Sequence, residues 1–112
     1  MGHIAIKLDP SKLANPDADI RYRIPDLVAD HTDNRVADDG YDYDDENIMT
    51  VFLRCPAPTD DVKKVLNILR EHQVCDNSLL DTAVIGISEG SATFRIVYPP
   101  EQNGTFVVED WV

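Results

Sequence analysis

The chain is short of positive charge. Ten lysines and arginines face 21 aspartates and glutamates among 112 residues, a formal net charge of -11. Such a field repels nucleic acid and anionic membrane surfaces and draws in cationic partners at rates that fall with salt. Neither a nucleic acid nor a membrane is therefore expected as a partner. No apolar run is long enough to span a bilayer, and no apolar stretch opens the chain. Cysteine is sparse: Cys55 and Cys75 are the only two and lack C-x-x-C spacing. The simplest expectation is a reducing, cytoplasmic setting with two buried thiols, although export and a disulfide stay open. The three histidines, His3, His31 and His72, are scattered, and no glycine-rich phosphate loop is present. His72 and Cys75 lie near one another but find no second ligand pair, so no cofactor or transition metal is expected.

What is present is enough apolar material for a core. At 43% hydrophobic residues the chain is too apolar for a disordered acidic polypeptide, and its length fits one domain spanning 1–112. The charge is distributed unevenly. Residues 1–24 carry +1, residues 25–47 carry nine acids against Arg35 for -8, and residues 48–112 carry -4. Most of the negative field originates in one short segment.

The pattern of apolar residues orders the elements. Ile4, Ile6 and Leu8 alternate as on a half-buried strand. Residues 16–24 give conflicting signals: Asn15-Pro16-Asp17 looks like a helix start, whereas Ile20, Tyr22 and Ile24 alternate like a strand. A short helix is expected over 25–31, opened by Pro25 with Asp26 in its first turn. Residues 48–55 are apolar on nearly both faces, the mark of an inner strand. Thr59 can cap a helix in which Val62, Val65, Leu66 and Leu69 recur at helical spacing. Two strands over 82–88 and 92–98, joined through Gly90, read as a hairpin, and 105–109 can add a last strand, with Trp111 capping an edge or lying on a partner. The resulting expectation is an α+β single domain: a mixed or antiparallel sheet of four to five strands with two helices packed mainly on one face, and an acidic loop at about 32–47.

Two motifs invite chemistry. Gly86-Ile87-Ser88-Glu89-Gly90 matches the G-x-S-x-G of a hydrolase elbow, but that elbow joins a strand to a helix and needs a histidine later in the chain. Here a strand pattern follows and every histidine precedes Ser88. Gly40 and Glu46 reproduce the second half of an EF-hand loop, while Arg35 and Ala37 stand where the first and third ligands should be. A weaker oxygen site from Asp38, Asp39, Asp42 and Asp44 is the remaining divalent-metal alternative. Exposed, similar acids lack the apolar pocket that separates an acid from a base in catalysis.

The sharpest feature is the run Asp38, Asp39, Gly40, Tyr41, Asp42, Tyr43, Asp44, Asp45, Glu46, with six carboxylates and two tyrosines. It is either a binding surface or a solvated loop. As a surface, Tyr41 and Tyr43 supply anchors and the acids supply encounter rate and partner choice, with Asp26, Asp30 and Asp33 extending the field. In size, acidity and α+β layout, and most of all in this run, the chain resembles the small acidic immunity proteins of bacterial polymorphic and contact-dependent toxin systems. The resemblance implies a non-enzymatic inhibitor that covers the active site or an exosite of a cognate basic protein toxin, a nuclease or another nucleic-acid-modifying enzyme. No functional residue is carried over from it. Two rivals stand beside this expectation: a homodimer or larger homo-oligomer pairing through the strand near Thr105, and a metal-dependent or hydrolytic enzyme.

Overall fold

Ile4, Ile6 and Leu8 face one side of the central strand of the molecule, and the rest of the architecture is organised around covering them. A computed structural model describes residues 2–44, 46–102 and 104–108. Strand β1 (Gly2–Leu8) is flanked on both sides, by β3 (Met49–Cys55) and β4 (Val84–Ser88). Outward from β3 lies β2 (Ala37–Tyr43); outward from β4 lie β5 (Thr93–Tyr98) and β6 (Thr105–Val107). All five pairings are antiparallel, and the order is β2-β3-β1-β4-β5-β6. The radius of gyration, 12.6 Å, is close to the ~13 Å expected of a single compact domain this long.

The main hydrophobic cluster joins Ile4, Ile6, Leu8, Val51, Leu53, Ile85 and Ile87 of the sheet with residues from two helices. Helix α1 (Ile20–His31) contributes Ile20, Ile24 and Val28; helix α2 (Pro58–Glu71) contributes Val62, Val65, Ile68 and Leu69. The opposite sheet face carries a smaller cluster of Ala5, Phe52 and Phe94, against which Phe106 and Val108 pack. Gly86 admits the Phe106 ring, which a Cβ at that position would meet at 2.8 Å.

Three boundaries differ from the sequence expectation, each for a physical reason. The sheet has six strands rather than four or five, because the segment expected as an acidic loop contains β2. Its charges are compatible with a strand because β2 lies at an edge, where polar side chains on both faces reach water and guard against edge-to-edge pairing. Helix α1 begins at Ile20, with Pro25 inside it. Ile20, Tyr22 and Ile24 satisfy a period of two, but Ile20, Ile24 and Val28 also satisfy i, i+4, i+8, and the helical set is the buried one. Helix α2 begins one residue before Thr59: Pro58 occupies the first helical position, and the buried Asp61 carboxylate accepts the N–H of the capping residue Ala57 at 3.0 Å. The expected last strand is present as Thr105–Val107 and ends before Val108, whose N–H donates to the Ala92 carbonyl at 2.9 Å; residue 109 and Trp111 lie outside the described residues.

Candidate functional site

The β2 strand presents its tyrosines to the same side as α1. Tyr41 stands opposite Val51 and Tyr43 opposite Met49, so both rings project on the helix-bearing face. There they meet the first turn of α1. Tyr22 contacts Tyr41 edge to face at 5.9 Å, and Tyr41 contacts Tyr43 in the same manner at 6.0 Å. Arg21 lies over two of these rings, with its guanidinium carbon 4.6 Å from the Tyr22 centroid and 5.0 Å from that of Tyr41. Its Nη1 donates to the Ala18 carbonyl at 3.0 Å and to the Tyr43 hydroxyl at 3.4 Å. Among the described residues the buried Arg21 Nε meets no hydrogen-bond acceptor, and attraction to the ring faces helps to offset its desolvation.

This arrangement shifts both partners. The contact with Tyr22, and then that with Tyr43, raises the Arg21 pKa above its already high ordinary value. Arg21, followed by Tyr41, lowers that of the Tyr22 phenol. The three rings remain 48% (Tyr22), 43% (Tyr41) and 39% (Tyr43) exposed, and among the described residues only Val107, at the far edge of the sheet, joins them as an exposed large apolar side chain. The chain therefore holds a partly exposed aromatic patch of three rings in contact, with the Arg21 guanidinium against two of them.

The carboxylates do not form a single face. The register shifts between Asp38 and Tyr41, and Gly40 in this bulge has φ +95°, in the left-handed region that glycine enters most readily. Asp39 is thereby turned toward β1, where its Oδ2 lies 2.8 Å from the Nδ1 of His3. Asp42 stands opposite Thr50, on the face away from the tyrosines. Several acids also hold the backbone in shape. Asp38 accepts the Gly40 N–H at 2.9 Å, Asp42 the Tyr43 N–H at 2.8 Å, and Asp44 the N–H groups of Glu46 and Ile48, each at 2.9 Å. Asp44 and Glu46 lie in the exposed turn that leads to β3; Asp45 falls outside the described residues. The edge strand is thus acidic on both flanks and aromatic on one.

Asp26, Asp30 and Asp33 sit elsewhere. They line an open groove of about 920 Å³ between α1 and the segment after α2, together with Asp17, Arg23 and Asp76. A buried asparagine holds one wall: Asn77 accepts the Asn15 N–H at 2.8 Å and donates to the Asn15 carbonyl at 2.7 Å.

Ser88 deserves comparison with a catalytic serine because the fold brings it near groups the sequence separates. His3 is its cross-strand partner, and Asp39 touches His3, in the order of a triad. The Ser88 hydroxyl, however, donates to the Ser91 carbonyl at 2.6 Å and accepts the Ser91 N–H at 3.0 Å. With 4% exposure and its proton held by a carbonyl, this serine closes the β4–β5 turn. Neither thiol is activated: burial pushes Cys55 up to about 11 and raises Cys75 as well. Among the described residues, no three His, Cys, Asp or Glu side chains converge as metal ligands.

Tyr41 and Tyr43 were singled out by sequence; Arg21 and Tyr22 were not. Their signal was present in the helical spacing of Ile20, Ile24 and Val28, which leaves positions 21 and 22 off the buried stripe. No protein-family model, curated protein or solved structure matches the chain. None of the described helices is long and apolar enough to cross a membrane.

Proposed function

We propose that the chain is a non-enzymatic, protein-binding inhibitor whose partner is a basic protein, in the manner of the small acidic immunity proteins that neutralise a cognate toxin. The observation that carries this reading is the patch of Tyr22, Tyr41 and Tyr43, partly exposed and pinned by Arg21, beside the carboxylates of the β2 edge. Tyrosines bury large area with few rotatable bonds, and rings already packed together lose little freedom on binding. Charge around them raises the encounter rate with a cationic surface and rejects anionic competitors. The cation that such a partner contributes, lysine or arginine, finds both carboxylate and aromatic acceptors here.

The test is binding to the protein encoded beside this chain's reading frame, with dissociation followed for Tyr22→Ala and Tyr41→Ala. Each change is expected to speed dissociation roughly tenfold or more, about 1.4 kcal/mol or greater. A complex that leaves both dissociation rates unchanged would overturn the assignment of this surface.

A second reading has one observation in its favour. The β6 edge exposes 60% of Val107, so two copies could pair there as a homodimer. Sedimentation equilibrium distinguishes the readings: a stable dimer abolished by Val107→Lys supports self-association, and a monomer excludes it.

A further inference from the structure

The two helices end side by side, and each ends in a histidine. His31 is the last residue of α1, and His72 is the cap of α2. Their rings are 4.6 Å apart between centroids and tilted by 39°. The proposed inhibitory surface does not use them.

We propose that His31 and His72 form a two-imidazole binding site for a first-row divalent transition metal, of the Zn²⁺, Ni²⁺ or Cu²⁺ class, with water completing the coordination. Three observations converge on it. The first is spacing. With metal–nitrogen bonds of about 2.0–2.1 Å, each ring centroid stands about 3.2 Å from the metal, so two cis imidazoles have centroids about 4.5–5 Å apart. The observed separation falls in that interval.

The second is the position of the pair in the backbone. A helix C-terminus carries roughly half a negative charge on its unsatisfied carbonyls, and here two such ends meet at one place. A cation held by these rings lies in the favourable field of both. The third is the neighbouring charge. Asp30 and Asp33 flank His31, and Glu71 precedes His72, all three exposed, against Arg70 as the basic group of the last turn of α2. Arg70 is turned to Asn67, to which its Nη1 donates at 3.0 Å.

Ligand type sets the choice of metal. Imidazole nitrogen favours zinc, nickel and copper, whereas calcium and magnesium require oxygen ligands. Among the described residues no third His, Cys, Asp or Glu completes a set, so the site is a two-point clamp on the ends of α1 and α2 rather than a closed structural centre. Occupancy joins the two helices and therefore raises the unfolding temperature.

The experiment is calorimetric titration of the full chain with Ni²⁺ and separately with Zn²⁺, alongside His31→Gln and His72→Gln, with circular dichroism showing that both variants fold. One saturable site per chain is expected, weakened roughly 10-fold or more by either substitution, as losing a direct ligand costs at least what losing an outer partner does. A metal-dependent rise in unfolding temperature is expected in the parent and in neither variant. Binding that survives either substitution, or no saturable binding in the parent at millimolar metal, would overturn the proposal. Loss in only one variant would also overturn it, because the site would then be a single histidine.

Discussion

Asp61 shows at the scale of a single residue how this acidic chain uses a charge inside. It is fully buried, and its Oδ1 accepts from Arg35 Nε at 2.7 Å while Oδ2 holds the Ala57 N–H at 3.0 Å. Burial alone would raise its pKa; Arg35 and then the Ala57 N–H outweigh that, and the carboxyl ends below its ordinary value. Because the folded state binds the proton more weakly than the unfolded one, this contribution to stability is complete above the ordinary carboxylate range. It disappears as pH falls through the depressed value. Asp61→Asn is expected to cost about 1–3 kcal/mol at neutral pH and to flatten the acid limb of the stability profile. Urea unfolding across pH measures both; a variant with the parent's acid slope would show that Asp61 is not the group responsible. Cys55 offers a second residue-scale check. Its thiol, buried and raised to about 11, is expected to react with a thiol reagent far more slowly in the folded chain than in urea. Equal rates would contradict its placement.

At the scale of elements, β2 decides what the molecule presents. Its bulge depends on Gly40, whose φ of +95° a side chain adopts only with strain, although a Cβ built there meets no described atom within 4 Å beyond the adjoining residues. Gly40→Ala is thus expected to cost about 1–2 kcal/mol from backbone conformation alone. Unfolding measurements with amide exchange in β2 test this, and a cost below the error of the measurement would mean that the bulge readjusts. The same strand marks the limit of what sequence revealed. Strands β1, β3, β4 and β5 and helix α2 were legible because their apolar residues repeat with an unambiguous period. β2 was not, since its alternation of tyrosine and aspartate hides in a run where charge dominates. The start of α1 was obscured because periods of two and of 3.6 coincide at Ile20 and Ile24. Tyr41 and Tyr43 could be named from composition, whereas Arg21 and Tyr22 become part of the patch only through the packing of α1 on the β2–β3 hairpin. The separation of Asp39 from the tyrosine face depends on the bulge, which local composition did not signal.

For the whole molecule, the central claim is that the field of the β2 edge serves to meet a positively charged protein. The direct measurement is the association rate with the protein encoded alongside, as a function of ionic strength, for the parent and for a variant carrying Asp38→Asn, Asp42→Asn and Asp44→Asn together. Asparagine keeps the side-chain oxygens that accept the Gly40, Tyr43, Glu46 and Ile48 N–H groups, so the edge stays folded while three charges are lost. The expected result is a rate that falls steeply with salt in the parent and is lower, with a shallower slope, in the variant. Identical rates and identical salt dependence in the two chains would contradict the account.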